Sequence, residues 1–166
     1  DLSQITKNEI VPLVNDNINF NSLTVNASEN CLLTCTNDWT NEGNSVIDSD
    51  LENYSSSSII VSDTDFLSVT YPNEDIPAGT YAGFRMKTSS IINLLDYLSI
   101  RTKDINGNIL ETYYPKNSSL TKVLDFSETT NIGFVTSKNF KTIEIYISGL
   151  LEVSSLLEVS SLFLLL

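Results

Sequence analysis

The chain has 166 residues, and its 21 acidic and 9 basic side chains give a formal net charge of −12. This charge disfavours nucleic acid and anionic membrane surfaces as partners, because both repel an acidic protein. Histidine is absent, which removes the commonest general base and the usual zinc ligand, so we expect a protein that is not an enzyme. A length of this order predicts a single domain over residues 1–166.

The first third of the chain carries weak structural signals. Residues 1–30 show little periodicity, and residues 36–56 are rich in Asn, Asp and Ser, which predicts a long loop. Cys31 and Cys35 are close enough in sequence for a local disulfide, with two buried free thiols as the alternative. No run is long and apolar enough to predict insertion into a membrane.

From residue 66 onward, short runs of alternating apolar and polar residues follow one another. They are Phe66–Tyr71, Tyr81–Lys87, Tyr97–Lys103, Ile109–Tyr114, Leu120–Phe126, Ile132–Thr136 and Phe140–Ser148. Asn106-Gly107, between two of these runs, is a strong signal for a hairpin. Short strands at regular spacing, with turns between them, predict an all-β fold: an antiparallel β-sandwich of jelly-roll type.

Two of these runs separate their side chains most clearly into two faces. One face holds Leu98, Ile100 and Thr102 in the first run and Ile143, Ile145 and Ile147 in the second. The opposite face holds Ser99, Arg101 and Lys103, and Thr142, Glu144 and Tyr146. This period of two is typical of strands that are buried on one side.

The C-terminal region, residues 150–166, contains an immediate repeat of six residues, Leu-Leu-Glu-Val-Ser-Ser, followed by an apolar end. One explanation is a last buried strand with a tail. A second is an exposed apolar strand that pairs with a neighbouring subunit, because an open strand edge recruits other chains. An artefact of the sequence is a third.

Several ordered blocks between residues 44 and 147 carry a resemblance to a known family. They are Val46–Tyr54, Pro77–Phe84, Leu94-Leu95, Asn106-Gly107, Ile132–Thr136 and Phe140–Ile145. The chain resembles a β-sandwich domain of secreted and surface proteins of Bacteroidetes, especially flavobacteria. This resemblance implies an exported protein, secreted or held at the cell surface, with a role in adhesion. Absence of a basic, apolar leader before Asp1 fits a mature exported chain, and a shortened chain would look the same.

The segment from Asp48 to Ser55 also looks like the calcium loop of discoidin-like, galactose-binding jelly rolls. In that superfamily the loop holds a structural Ca²⁺ beside a rim that binds sugar. Here Ser49 replaces the glycine of the loop, Asn53 replaces its threonine and Ser55 replaces its tryptophan. These departures weaken the implied sugar site more than the implied metal site.

The same acidic segment suggests a metal site by its chemistry. Asp48, Asp50 and Asn53 supply the oxygen ligands that Ca²⁺ prefers, and Glu152 or Glu158 could close the site from a late strand. The alternative is that these side chains cap turns through their own backbone. We therefore expect calcium as the cofactor, if there is one, with Asp48, Asp50, Asn53 and Glu158 as its ligands.

Aromatic residues near this segment suggest a sugar-binding face. Trp39, the sole tryptophan, and Tyr54 and Tyr81 could pack against the C–H faces of a sugar while polar groups bind its hydroxyls. The alternative is ordinary packing in the core. The sequence thus predicts a non-catalytic extracellular module for adhesion or carbohydrate binding, with a glycan or a surface protein as partner. The alternative function is a structural subunit of a surface filament that self-associates through its C-terminal strand.

Overall fold

A computed structural model describes residues 24–27, 29–30, 36–37, 39–47, 53–59, 64–88, 96–117, 130–148 and 155–165. Its strands are β1 (Thr24–Ala27), β2 (Glu29–Asn30), β3 (Thr36–Asn37), β4 (Ser55–Ile59), β5 (Thr64–Thr70), β6 (Tyr81–Thr88), β7 (Leu98–Lys103), β8 (Ile109–Tyr113), β9 (Thr130–Val135), β10 (Thr142–Ser148) and β11 (Ser155–Leu165). Within these described ranges, two 3-10 helices are present, Thr40–Ile47 and Pro115–Asn117. Among the described residues, no helix is long and apolar enough to cross a bilayer.

The strands form two main sheets and a small ribbon. The first sheet has five strands in the order β1-β5-β10-β7-β8, and the second has four in the order β4-β11-β6-β9. Strands β2 and β3 pair with each other. Neighbouring strands in both main sheets run antiparallel. The predicted fold class, an all-β antiparallel sandwich of jelly-roll type, is confirmed.

The core lies between the two main sheets and follows directly from the alternation in the sequence. On β10, Ile143, Ile145 and Ile147 are all buried, and the register places Val69 of β5 and Ile100 of β7 beside them. The second sheet contributes a matching set, made of Ala82, Phe84, Met86, Ile132, Val159 and Leu162. Burial of one such large aliphatic or aromatic side chain stabilises the fold by about 1.5–3 kcal/mol.

Six of the seven predicted strands are present, with ends shifted by a few residues. The seventh, Leu120–Phe126, lies outside the described residues. The predicted disulfide also stays untested, because Cys31 and Cys35 lie outside the described residues as well.

The β7–β8 hairpin is formed at Asn106-Gly107, as predicted. Gly107 has a φ of 83°, which suits a residue without a Cβ. One carboxylate oxygen of Asp104 accepts hydrogen bonds at 2.9 Å from the backbone N–H of Asn106 and of Asn108. Hydrogen bonds, chiefly from the Asn108 side chain, lower the pKa of Asp104.

The prediction of one long loop over residues 36–56 is wrong. This stretch contains β3, the 3-10 helix Thr40–Ile47 and the first two residues of β4. Its polar side chains make internal hydrogen bonds: the Ser55 hydroxyl accepts one from the backbone N–H of Ser45 at 3.2 Å. Both serines are buried. Polar composition therefore did not mean exposure here, because a buried hydroxyl with a partner is tolerated.

The C-terminal repeat contributes to a central strand of the second sheet. Strand β11 pairs with β4 on one side and with β6 on the other. Its register shifts between Val159 and Ser161, so that Val159 and Leu162 both lie in the core. Residues Ser155–Val159 pair with β4, and pairing with β6 extends from Leu157 to Leu165. The first explanation, a last strand built into the sandwich, agrees with this pairing, and self-association through the strand stays a prediction.

Candidate functional site

The aromatic residues predicted to bind a sugar are not gathered on the surface. Trp39 is 2% exposed, belongs to the core cluster and pairs by an isolated β-bridge with Ser57. Of the two interpretations that the sequence left open for Trp39, the structure favours packing in the core over contact with a sugar. With so little exposed surface, the ring has no face on which a sugar could stack.

The two tyrosines of that prediction lie in different surroundings. Tyr81 begins β6 and is 6% exposed; burial, together with the nearby Tyr113, raises its pKa to about 12. Tyr54 is half-buried, and the Lys87 ammonium lies 4.4 Å from the centre of its ring, which is a cation–π contact. Tyr81 is too buried to offer an open face to a sugar. Tyr54 is only half-buried, so its role in ligand binding stays a prediction.

The predicted metal ligands are placed only in part. Asp48 and Asp50 lie outside the described residues, while Asn53 is half-buried ahead of β4. Glu158 of β11 forms an ion pair of 3.4 Å with Lys87 of β6. Among the described residues, no cluster of three or more His, Cys, Asp or Glu side chains could hold a metal ion. The calcium site therefore stays a prediction, and Lys87 now occupies the position beside Glu158 that a cation would need.

A different set of side chains converges on the outer surface of the five-stranded sheet. Strand register places Asn26, Ser68, Glu144 and Arg101 in one row that crosses β1, β5, β10 and β7. Successive side chains of a strand point to opposite faces, so this row faces away from the core that holds Ile143 and Ile145. Four strands thus contribute one polar side chain each to the same line.

An open groove of about 460 Å³ lies along this row, and we call it the outer groove. Its lining consists of Asn26, Ala27, Phe66, Ser68, Arg101, Lys103, Glu144 and Tyr146. The volume falls within the range of roughly 300–1,000 Å³ that is usual for sites of small ligands. The lining combines two aromatic rings with amide, hydroxyl and charged groups.

Glu144 is the electrostatic centre of the outer groove. It is 3% exposed, and the Lys103 ammonium donates a hydrogen bond of 2.9 Å to its Oε2. The Arg101 guanidinium lies 3.9 Å from Oε1 and 3.4 Å above the centre of the Tyr146 ring. A buried carboxylate requires such partners, because an unpaired one is costly to remove from water. Glu144 thereby holds both cations and one ring in a fixed arrangement.

Two polar atoms of this cluster have no hydrogen-bond partner among the described residues. They are Oε1 of Glu144 and Nε of Arg101, and both are buried. Most buried polar atoms in folded proteins do have a partner, so each exception requires an explanation. Here the two atoms belong to neighbouring side chains at the same groove, so their hydrogen-bonding needs are left unmet side by side.

Sequence reasoning missed the outer groove although it identified half of its residues. The faces opposite the core in β7 and β10 already included Arg101, Lys103, Glu144 and Tyr146, and alternation alone placed them outward. What the sequence lacked was the pairing of β10 with β7 and β5. Without that register, Phe66, Ser68 and Asn26 could not be placed beside them.

Comparisons with known proteins identify the fold. No protein-family model and no curated protein matches the sequence. A lectin-binding domain of lectinolysin, a His 62 mutant complexed with Lewis b, matches with a TM-score of 0.56 at 7% identity, over 85% of this chain and 89% of that one. A Streptococcus pneumoniae fucose binding module matches at 0.53 and 12% identity, over 97% and 99%.

A Clostridium perfringens CBM32 module solved in complex with GalNAc-β-1,3-galactose gives a TM-score of 0.52 at 8% identity, over 89% of this chain and 97% of that one. Such identities establish a shared sandwich fold and leave the ligand of this chain to be argued from its own residues.

Proposed function

We propose that this chain is a non-catalytic carbohydrate-binding module that binds its glycan in the outer groove. One observation carries the proposal: Tyr146, Arg101, Lys103 and the buried Glu144 line a single open groove together with Asn26. An aromatic ring suits the C–H face of a sugar, while hydroxyls both donate and accept hydrogen bonds. The groove offers all three kinds of contact.

The preorganised charges in the groove support the same proposal. Glu144 is held by Lys103 at 2.9 Å and lies near Arg101, so these side chains need little reordering when a ligand arrives. Interactions that are fixed before binding cost less entropy on binding. A sugar offers many weak polar contacts, and it gains most from a site that is already ordered.

The charge pattern of the outer groove favours binding over hydrolysis. Glycosidases of the common kind use two carboxylates that flank the scissile bond. Among the described residues that line the groove, Glu144 supplies the sole carboxylate, and both of its oxygens face cations. This supports a binding role without a reaction.

The proposal includes an extracellular setting. The neighbours in fold are described as a lectin-binding domain, a fucose binding module and a carbohydrate-binding module, and two of them were solved with glycans. A role in adhesion, export to the cell surface or medium, and stabilisation by Ca²⁺ through Asp48, Asp50 and Asn53 belong to the proposal and follow from the sequence resemblance.

A glycan array tests this function. We expect the labelled protein to bind a limited group of glycans, and Tyr146→Ala to weaken that binding by about five- to tenfold, because one ring–sugar contact is worth about 1–1.4 kcal/mol. Tyr114→Ala is the matched control, since Tyr114 is exposed and lies outside the groove. It should bind as the parent does.

Two outcomes would contradict the proposal. A folded protein that binds no glycan on the array rejects the function itself. Retained binding in Tyr146→Ala, with loss in Tyr54→Ala, rejects the outer groove as the site. That second result would return the site to the loop predicted from the sequence.

A further inference from the structure

The outer groove has a local charge opposite in sign to that of the whole protein. Its lining holds two cations, Arg101 and Lys103, against one carboxylate, Glu144. The chain as a whole has a net charge of −12, with 9 basic side chains in total. Two of those cations converge on one carboxylate, so the groove retains one positive charge in excess.

The charged side chains of the outer groove also offer more hydrogen-bond donors than acceptors. Arg and Lys side chains donate but do not accept, and a guanidinium presents a fork of N–H groups that matches a carboxylate. Lys103 donates to Oε2 of Glu144, whereas Arg101 approaches Oε1 no closer than 3.9 Å and makes no hydrogen bond with any described residue. The guanidinium therefore keeps donors for a ligand.

Stacking fixes the orientation of that fork. The guanidinium lies 3.4 Å from the centre of the Tyr146 ring, which holds the plane of one group against the other. The edge of the guanidinium, where its N–H groups point, is thus set by the ring. A planar anion such as a carboxylate can meet this edge with two parallel hydrogen bonds.

From this arrangement we infer that the outer groove selects glycans carrying a carboxylate-bearing sugar, with Arg101 and Lys103 as the residues that bind the carboxylate. The inference rests on the proposed function and specifies its ligand. The net charge of −12 limits the number of such sugars, because a dense polyanion is repelled by the rest of the surface. A mainly neutral glycan with an isolated acidic sugar fits both facts.

Paired monosaccharides test the inference directly. We would titrate ¹⁵N-labelled protein by NMR with D-galacturonate and D-galactose, and with D-glucuronate and D-glucose, at low salt. Each pair shares its ring stereochemistry and differs at carbon 6, where the acid has a carboxylate. We expect the acid to bind about five- to tenfold more tightly, because a charge-assisted hydrogen bond is roughly twice as strong as a neutral one.

Salt provides a second readout that needs no variant. Raising NaCl to about 0.5 M should remove most of the preference for the acid, because ionic contacts at a partly exposed site are screened. Binding of the neutral sugar should change little. A preference for the acid that is insensitive to salt would overturn the assignment to Arg101 and Lys103.

Single-residue variants show which cations produce the preference for the acidic sugar. Lys103→Gln and Arg101→Gln should each reduce the preference for the acid to less than about twofold. Because the preference is the ratio of the two affinities measured on one variant, a general weakening of sugar binding cancels out of it. Lys87→Gln is the control, because Lys87 also pairs with a glutamate and lies over a tyrosine ring, but on the other sheet. It should keep the full preference.

The outcomes separate the inference from the function. Equal binding of acid and neutral sugar, or tighter binding of the neutral one, overturns the inference and leaves a carbohydrate-binding module in place. Binding confined to neutral glycans on the array does the same. A protein that binds no sugar of either kind overturns the proposed function as well.

Discussion

Each outer surface of the sandwich carries a cation over a tyrosine ring beside a glutamate, yet the two groups differ in burial. On the five-stranded sheet these are Arg101, Tyr146 and Glu144; on the four-stranded sheet they are Lys87, Tyr54 and Glu158. The Glu144 side chain is 4% exposed and that of Glu158 is 29% exposed. The same three groups can therefore build a fixed site or a solvated surface contact.

Strand position does not explain this difference, because both glutamates lie on strands with a neighbour on each side. Glu144 of β10 stands between β5 and β7, and Glu158 of β11 stands between β4 and β6. The difference lies in the adjacent strand. Strand β7 places two cationic side chains, Arg101 and Lys103, beside Glu144, whereas Glu158 is paired with one, Lys87. A buried carboxylate needs cationic partners, because leaving it charged and unpaired away from water is costly.

The largest expected effect is the difference in stability between variants of the two glutamates. Glu144→Ala should lower the free energy of unfolding by about 2–3 kcal/mol, because it leaves two cations without their buried partner. Glu158→Ala should cost less than about 1 kcal/mol, since its ion pair is partly exposed. Urea unfolding monitored by circular dichroism measures both. Equal losses would show that burial does not distinguish the two groups.

A second prediction concerns the surface of the four-stranded sheet, where Gly83 and Gly133 stand directly opposite each other on β6 and β9. A Cβ at Gly83 would collide with the backbone of Ile132 and Gly133, which cannot rotate away. Gly83→Ala should therefore destabilise the protein by about 1–3 kcal/mol. Thr112→Ala, at an exposed position on the other sheet, should stay within about 0.5 kcal/mol in the same urea assay. A neutral Gly83→Ala would mean that β6 and β9 can separate without cost.

The smallest effect concerns Tyr81, predicted from the sequence to contact a ligand and found buried. Its pKa of about 12 in the folded state exceeds the ordinary value of 10.0. The folded state thus retains the proton that the unfolded state releases, so this stabilisation is complete below about pH 10 and is lost as the pH rises toward 12. Tyr81→Phe should remove that component of the pH dependence. Parallel loss of stability in Tyr81→Phe and the parent over this window, measured by urea unfolding, would place Tyr81 in an ordinary exposed setting.

The alternation of apolar and polar residues was enough to predict most strands and the class of fold. It placed Ile143, Ile145 and Ile147 inward and Glu144 outward because a strand repeats every two residues. It could not predict which strands are neighbours, since β5 pairs with β10 across more than seventy positions, as in Thr70 and Thr142. The candidate site depends on that pairing, so it emerged with the structure.

Trp39 is a residue whose position local composition could not decide. The polar residues around Trp39 left open whether its ring contacts a ligand or packs in the core, and the structure places it in the core. The polar residues around it bind to β4: the Thr40 hydroxyl accepts a hydrogen bond of 2.9 Å from the backbone N–H of Ser56. Hydrogen bonds of this kind tie the 3-10 helix to β4. Such long-range hydrogen bonds leave no periodic trace in a sequence.

The place of β11 has a consequence for how the chain folds. Strands β4 and β6 belong to one sheet but never pair with each other, because β11 lies between them. Their partner arrives roughly a hundred residues after β4 along the chain, as the pairing of Ser55 with Val159 shows. Contacts this distant in sequence form slowly. During synthesis, β4 and β6 leave the ribosome well before β11 does, and their unpaired edges stay open to wrong partners until it inserts.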